Sequence, residues 1–260
     1  GSGGHGAAIV NHLGAQGTYI GIDIDKTALE ANKHLQALTT AKAYLVEDNF
    51  RYLNDVLKKL NIEHVDAVLA DLGWRMEQFD GESGLPRGFS FKRDEPLAMT
   101  FGSPTDYAFT AYDIVNDWKE EDIANVIYAY GEERYSRRIA RMIVERREES
   151  PICTSVELAE IVEKAVPKMY AKKRTHPATK TFQALRIAVN DEFDALRDLL
   201  AVAFEHLTPN GRLAIISFHS LEDRIVKETF RELTRDQKAV LVHKKPITAE
   251  ETELKSNPRA

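Results

Sequence analysis

The sequence predicts an α/β fold with a parallel sheet that is interrupted by an all-helical insertion. Helix and strand patterns alternate over residues 5–73 and again from Thr181 onward. Between these two parts, residues 106–169 show helical patterns only. Because repeated helix–strand units produce parallel strands covered by helices, both outer parts should contribute strands to such a sheet.

Each element of the first part has its own signal. The amphipathic helix "HGAAIVNHLG" ends in glycine, and "TYIGIDID" is an apolar, β-branched strand that ends in acids. After a second helix, "AYLVED" predicts a short strand, and Asn49 is suited to cap the helix that follows it. Residues 65–73 then read as a buried parallel strand.

Residues 74–104 interrupt the alternation. This segment is rich in Gly, Pro and aromatic residues and is too long for an ordinary connection, so we expect it to be functional or to cover a ligand. The helices of the insertion follow. One of them begins at Thr154 or Ser155, with Glu157 completing a capping pattern.

The last part returns to helices and strands. A single long helix is predicted from Thr181 to Leu207, followed by a turn at "TPNG" and the strand "RLAIISF". A helix over "SLEDRIVKETFREL" and a weaker strand near "AVLVHKK" come next.

Composition narrows the class of protein. The chain has 260 residues, 43% of them hydrophobic and 29% charged, which is typical of a soluble globular protein with one or two domains. It shows neither an apolar run long enough to span a membrane nor a signal peptide, and the single Cys153 fits a reducing compartment. We therefore expect a cytoplasmic protein with no membrane partner. The histidines show no metal-ligand spacing, so no metal site is predicted.

Two basic stretches stand out against a formal net charge of −6. They cover residues 133–147, where arginines recur at helical spacing, and residues 172–180. The net charge argues against a globally positive surface, so only local patches could contact nucleic acid. A solvated helix face and a phosphate-binding surface are both compatible with the first stretch.

The motif "GSGGHG" opens the chain. Gly1, Gly3 and Gly6 satisfy the G-x-G-x-x-G pattern of dinucleotide-binding turns, which would favour NAD. That pattern requires a strand directly before the glycines, and none precedes Gly1. The motif alone therefore leaves the ligand open.

Acidic residues end two of the predicted strands, at the edge where ligands bind in open α/β sheets. Asp23 could accept hydrogen bonds from both ribose hydroxyls of NAD or of S-adenosylmethionine, whereas Asp25 is better placed to begin the next helix. Asp71 and the carbonyls before Gly73 could orient an exocyclic amine for in-line methyl transfer. No arrangement typical of hydride transfer is recognisable at this edge, so the residues favour methyl transfer.

These motifs resemble those of the RsmH/MraW family, bacterial methyltransferases that act on the N4 amine of a cytosine in small-subunit ribosomal RNA. The resemblance spans nearly the whole chain and implies a Rossmann-like class I S-adenosylmethionine-dependent methyltransferase core with an inserted all-helical subdomain. The core would comprise residues 1–104 and 176–260, and the insertion residues 105–175. The resemblance is carried by "GSGGHG", "IGIDID", "DLG", "RGFSF", "DEPLAM", "YGEERYSRRIARMIVERR", "HPATKTFQALRIAVNDE", "GRLAIISFHSLEDRIVK" and "NPRA".

The resemblance also implies roles for individual residues. S-adenosylmethionine is the implied cofactor, and Asp71 would orient the target amine as the catalytic residue. Phe50 would lie against the adenine, with a core position as its alternative. The implied cofactor-binding residues are Gly3, Gly4, His5, Asp23, Phe50, Asp71 and Gln78.

Small-subunit ribosomal RNA, or the ribosomal subunit, is the implied partner. The insertion would help to grip this RNA, with the basic residues of 172–174 and 134–147 meeting phosphates. For the two histidines among the candidates, structural hydrogen bonding is the alternative. The oligomeric state stays open, with a weak homodimer as one option. The candidate substrate-binding residues are Lys173, Arg174, His176, His219 and Ser220.

Departures from the family pattern keep rival functions open. "DLGWRMEQFD" stands where "DLGVSSPQLD" is usual, and "DEPLAMTF" stands where "DGPLDMRM" is usual. One rival is therefore an RNA-binding relative that has lost catalysis, and another is an NAD-dependent oxidoreductase.

Family members also have a first strand before the glycine motif and a strand after "NPRA". Since that first strand would lie in the middle of the sheet, we expect the chain without it to be poorly stable.

Overall fold

A computed structural model describes residues 3–37, 40–72, 86–171 and 175–256. Within this part of the chain, helices and strands alternate before and after a run of helices, which confirms the predicted α/β organisation. The strands are β1 (Thr18–Asp23), β2 (Lys42–Glu47), β3 (Val65–Asp71) and β4 (Leu207–Ile216). The helices are α1 (Gly4–Val10), α2 (Lys26–Ala31), α3 (Leu53–Lys59), α4 (Ala111–Asp117), α5 (Glu120–Gly131), α6 (Ser136–Glu149), α7 (Ser155–Ala165), α8 (Lys168–Ala171), α9 (Thr179–Asn190), α10 (Glu192–His206), α11 (Ser220–Arg235) and α12 (Glu251–Ser256).

The described strands form two parallel pairs. Strand β1 pairs with β2, and Asp23 lies opposite Glu47 at the carboxyl end of that pair. Strand β3 pairs with β4, and Asp71 lies opposite Ile216. Among the described strands, β1 and β3 therefore each have a hydrogen-bonded neighbour on one side only.

One apolar cluster contacts both strand pairs. Its buried members are Leu53 and Leu57 of α3 and Leu199 and Ala203 of α10. Partly buried side chains of β1 and β3 pack against these four residues. Helices α3 and α10 thus cover a surface to which both pairs contribute, and this fixes the strand ends that carry the predicted site.

The predicted caps are confirmed where the structure describes them. Asp25 accepts a hydrogen bond from the Thr27 amide at the start of α2, and Asn49 accepts one from the Arg51 amide. Thr154 and Glu157 form a reciprocal capping box at the start of α7. Each satisfies an amide that the helix itself leaves unpaired.

The predicted turn at "TPNG" lies inside β4 as an irregularity. The pairing register shifts between Val65, which lies opposite Leu207, and Ala67, which lies opposite Arg212. Asn210 has a left-handed φ of 68°, a conformation that asparagine tolerates better than most residues. The turn chemistry was thus predicted at the right residues, but it makes a bulge within one strand and does not begin that strand.

The prediction of one helix from Thr181 to Leu207 is wrong, because the chain breaks at Asp191. Asp191 has a φ of 49°, so α9 ends at Asn190 and α10 begins at Glu192. The Asn190 side chain donates to the Met99 carbonyl at 2.7 Å and accepts from the Phe101 amide at 2.9 Å. Tertiary bonds to this loop therefore hold the end of α9 at the break.

The helical region, which comprises helices α4–α9, contains the most completely buried core of the described residues. Ile127, Ile143, Leu158 and Leu185 are all 0% exposed. The same cluster includes Phe89 and others from before residue 105, as well as side chains of α9. The core of the helical region thus extends past both predicted limits of the insertion, and the division at residues 105–175 stays a prediction.

The chain divides into two compact units, Gly1–Phe218 and His219–Ala260. In the second unit, Leu221 and Ile225 are the buried apolar residues of α11. The strand predicted near "AVLVHKK" is wrong: residues 239–245 form no strand, and Val240 is 90% exposed. β-branched residues favour a strand only when another strand offers backbone groups to pair with, and the described residues offer none here. No described helix has the length and apolar character needed to cross a membrane.

Candidate functional site

The glycine turn before α1 has a conformation that requires glycine. Gly3 has a φ of 82°, and a Cβ atom at this position would overlap the Oδ1 atom of Asn32. Asn32 is buried and donates to the Ala28 carbonyl, so it forms a fixed wall behind the turn. At Gly4, by contrast, a Cβ atom would meet nothing within 4 Å. The turn is therefore closed on the Asn32 side and open at Gly4, where a ligand could approach the backbone.

The turn contacts both strand pairs. The Nδ1 atom of His5 lies 3.3 Å from the Oδ2 atom of Asp71 at the end of β3. Gly6 lies against the hydroxyl of Tyr19 in β1, where a Cβ atom would come within 2.6 Å of that oxygen. His5 and Asp71 are 58% and 42% exposed, so a ligand can reach both side chains. The structure thus brings together the predicted turn and the predicted catalytic carboxylate.

Asp23 lies at the carboxyl end of β1, as predicted. Its Oδ1 atom accepts a hydrogen bond from the Asp25 amide at 2.9 Å, and its carbonyl accepts one from the Asp48 amide. These bonds fix the carboxylate at the strand end. Whether it binds ribose hydroxyls stays a prediction.

Phe50 follows β2 and is partly buried against the cluster of α3 and α10. This contact fits the alternative that assigned Phe50 to the core, and its contact with adenine stays a prediction. The next residue, Arg51, was missed by the sequence reasoning. Its guanidinium donates to Asp198 at 2.7 and 3.0 Å and to Asp191 at 2.9 Å. Arg51 thus ties the segment after β2 to the first turns of α10.

The charge network of Arg51 affects its protonation. Partial burial lowers the pKa of Arg51, but the hydrogen bonds that it donates to Asp198 and Asp191 outweigh that effect and raise the pKa above its usual value. The guanidinium therefore stays charged over the whole practical pH range. No short motif announces this residue, because its partners lie about 140 residues away in sequence.

The motif residues of the long segment before α4 bind one another. The carboxylate of Glu95 accepts hydrogen bonds from the amides of Arg87 and Gly88, at 3.2 and 2.9 Å. The Arg87 side chain donates to the Thr100 and Phe101 carbonyls. The motifs "RGFSF" and "DEPLAM" therefore build a crossed loop, and Asn190 holds its far end through Met99 and Phe101.

His176 uses both ring nitrogens within the protein. Its Nε2 atom lies 2.7 Å from Glu163 of α7, its Nδ1 atom accepts from the Ala178 amide, and its ring stacks on Phe91 with centroids 4.2 Å apart. These contacts fit the alternative of structural hydrogen bonding, and contact with RNA stays a prediction for His176.

His219 is the N-cap of α11. Its Nδ1 atom accepts from the Glu222 amide at 3.3 Å, while the Glu222 carboxylate accepts from the His219 amide. Ser220 is the first residue of that helix. A histidine in the place of the usual Ser or Thr is why the capping box was missed in the sequence.

Only part of the basic stretch 133–147 is available to a partner. Arg147 donates to the Val115 and Trp118 carbonyls, at 2.9 and 2.7 Å, and thereby caps the end of α4. Arg146 donates to the Ser150 carbonyl. The exposed arginines are Arg134, Arg137, Arg138 and Arg141.

Several predicted residues lie outside the described part of the chain. They include Gln78, Trp74, Arg75 and Met76 in the segment after β3, and Lys173 and Arg174 after α8. Within the described residues, no group of three or more His, Cys, Asp or Glu side chains could hold a metal ion.

The parallel strand pairs, the glycine turn and the carboxylates at two strand ends define a Rossmann-like α/β protein of the class I methyltransferase type. The model of the MraW methylase family matches residues 1–260, and the chain belongs to that family.

Three relatives named "Ribosomal RNA small subunit methyltransferase H" are similar over the full length of this chain. The protein of Brevibacillus brevis is 42% identical over 276 residues, which cover 100% of this chain and 86% of that protein. The protein of Heliobacterium mobile is 42% identical, with 100% and 87% covered. The protein of Halothermothrix orenii is 41% identical, with 100% and 86% covered.

Proposed function

We propose that this chain transfers a methyl group from S-adenosylmethionine to the N4 amine of a cytosine in small-subunit ribosomal RNA. Membership of the MraW methylase family and the names of the three relatives support methyl transfer to ribosomal RNA. The observation that carries the site is the contact of 3.3 Å between His5 of the glycine turn and Asp71 of β3.

The residues of the turn fit a nucleotide-like cofactor. The turn is closed behind Gly3 by Asn32 and open at Gly4, so a ligand can approach its backbone closely. Asp23 would accept hydrogen bonds from the ribose hydroxyls, and Gln78 would add a polar contact. When bound, S-adenosylmethionine supplies an electrophilic methyl group on a sulfonium centre.

Asp71 would hold the target amine in place. The lone pair of an exocyclic amine is delocalised into the base, so an acceptor for the amine hydrogens makes the nitrogen a better nucleophile. The same acceptor stabilises the positive charge that develops on the nitrogen. His5 would orient the Asp71 carboxylate for this task through their contact. The base must leave its stack to reach Asp71, as is usual for enzymes that modify bases.

The exposed arginines of the helical region would contact the RNA backbone. A protein with a net charge of −6 needs such a local concentration of guanidinium groups to bind phosphates. Because the proposed substrate is ribosomal, we also propose that the protein acts in the cytoplasm.

The proposal is tested by replacing Asp71 and measuring methyl transfer to small ribosomal subunits that lack the modification. Asp71→Ala should lower the rate of transfer by about 100-fold or more, the scale expected for loss of a group that stabilises developing charge. Asp66→Ala is the matched control, because Asp66 is an exposed carboxylate at the other end of β3 and its loss should leave the rate unchanged. Nucleoside mass spectrometry of the product should identify N4-methylcytosine.

Binding measurements separate this function from its rivals. The wild-type protein should bind S-adenosylhomocysteine in calorimetry, and Asp71→Ala should still bind it through the other cofactor-binding residues. Full transfer by Asp71→Ala would contradict the assigned role. A wild-type protein that binds S-adenosylhomocysteine and subunits but transfers no methyl group would be the RNA-binding relative, and one that binds NAD alone would be the oxidoreductase.

A further inference from the structure

We propose that Arg134 is a phosphate-binding residue of the helical region, with its guanidinium held ready for an RNA backbone phosphate by Tyr135 and Tyr170. This inference rests on the proposed function, since it assumes that the partner is RNA. It goes beyond the general expectation of a basic surface by assigning the contact to one side chain with a fixed geometry.

The guanidinium of Arg134 lies in a corner between two aromatic rings. Its Cζ atom is 4.6 Å from the ring centroid of Tyr135 and 5.4 Å from that of Tyr170. The two rings are 5.0 Å apart and nearly perpendicular, at 79°. The Nη2 atom of Arg134 donates to the Tyr135 hydroxyl at 2.7 Å, which fixes the plane of the guanidinium. Within the described part of the chain, the Nε and Nη1 atoms of Arg134 donate to no other group and can serve an outside acceptor.

A buried carboxylate holds this corner in shape. Glu133 is 0% exposed. Its carboxylate accepts a hydrogen bond from the Tyr170 hydroxyl at 2.6 Å and another from the Tyr135 amide at 2.8 Å. Burial raises the pKa of Tyr170, and the hydrogen bond to Glu133 raises it further, to about 12. The hydroxyl therefore stays protonated at neutral pH, and the bond that positions the Tyr170 ring persists.

Arg134 has no anionic partner within the described part of the chain. Some other arginines there are paired, such as Arg197 with Asp194 at 2.6 Å and Arg141 near Glu120 at 3.9 Å. Arg134 is nevertheless ordered by two rings and a hydroxyl, so the entropy cost of fixing its side chain has been met before a ligand arrives. An arginine fixed in this way and left without a carboxylate suits bidentate binding of a phosphate.

Two neighbouring arginines increase the positive electrostatic potential around Arg134. Arg137 and Arg138 are exposed in the first turn of α6, and that turn contains no acidic residue. Cations at this end of a helix oppose the helix dipole and cost stability, so an anionic ligand bound here would relieve that cost. A polyanion would neutralise all three guanidinium groups, whereas a single acidic side chain would not. RNA is therefore the partner that this charge pattern favours.

The test compares the affinities of full-chain variants for purified small ribosomal subunits over a range of salt concentrations. Arg134→Ala should weaken binding about fivefold near 0.15 M salt and reduce the slope of log affinity against log salt by about 0.7–0.9, the amount expected for one lost phosphate contact. Arg134→Lys should keep the slope but bind about twofold to threefold more weakly than wild type, because lysine offers a point charge without the planar fork. Arg197→Ala is the control for loss of one exposed arginine.

The outcomes separate this inference from the proposed function. Arg134→Ala should raise the KM for subunits and leave kcat and the affinity for S-adenosylhomocysteine unchanged. If Arg134→Ala matches Arg197→Ala, or if Arg134→Lys binds as tightly as wild type, the inference is overturned. If the wild-type protein binds subunits with the expected dependence on Arg134 but transfers no methyl group, the proposed function fails while the phosphate contact stands.

Discussion

The helical region and the paired strands differ in how completely they bury their apolar side chains. In the helical region, Ile127, Ile143 and Leu158 are fully buried. In β3, Leu69 is 38% exposed and Val68 is only partly buried. The residues of the proposed site, His5 and Asp71, belong to the less buried part. The most completely buried side chains and the residues of the proposed site therefore lie in different parts of the chain.

The largest expected difference between the helical region and the paired strands is in the free energy of unfolding that is lost when a side chain is shortened. Ile143→Ala should lower the free energy of unfolding by about 2–5 kcal/mol, because the side chain is fully buried and its loss leaves a cavity. Leu69→Ala should cost less than about 1 kcal/mol, because this side chain already contacts water. Urea denaturation followed by circular dichroism measures both values. Equal losses would mean that the two regions do not differ in packing.

A smaller effect is expected at the glycine turn. Gly3→Ala introduces a Cβ atom into a left-handed conformation and against Asn32, which should cost about 1–2 kcal/mol and weaken the binding of S-adenosylhomocysteine about fivefold to 30-fold. Gly14→Ala is the matched control, since Gly14 lies outside the predicted cofactor site and a Cβ atom there meets no protein atom within 4 Å. Calorimetry of both variants provides the measurement. An unchanged affinity for Gly3→Ala would argue against the turn as the cofactor site.

The smallest expected effect is on the stability of the helical region at alkaline pH. Burial, followed by the hydrogen bond to Glu133, raises the pKa of Tyr170 from 10.0 to about 12. The folded state binds the proton of the Tyr170 hydroxyl more tightly than the unfolded state does. The contribution of this proton to the free energy of unfolding is therefore complete below pH 10 and is lost as the pH rises towards 12. Spectrophotometric titration of wild type and Tyr170→Phe should differ by one tyrosine that ionises in this late range. A difference centred near pH 10 would show that the bond to Glu133 is weak.

Local sequence signals predicted most elements because the signals were short-range. The caps at Asp25, Asn49 and Thr154 depend on residues two or three positions away, and they are confirmed. The break at Asp191 could not be predicted in this way. It is stabilised by bonds from Asn190 to a loop about 90 residues earlier and by bonds from Arg186 to Glu192 across the break. Neither glycine nor proline marks the position.

In the candidate site, too, some residues could be predicted from local sequence and others depend on tertiary contacts. The glycine turn and the acids at the ends of β1 and β3 could be predicted, because the position of a residue at the end of a parallel strand follows from the fold class. Asn32, which closes the turn, and Arg51, which anchors the segment after β2, could not. Their roles depend on tertiary contacts, and the residues themselves look like ordinary polar positions on a helix or loop.

The composition of the helical core has a practical consequence for dissecting the protein. Phe89, Leu97 and Met99 enter this core from one side of the predicted insertion, and Phe182, Leu185 and Val189 enter it from the other. An excised fragment limited to residues 105–175 would lack all six side chains and would expose the apolar surfaces that they cover. A fragment intended to fold alone should therefore begin before Arg87 and continue through Asn190, so that the crossed loop and the whole of α9 are retained.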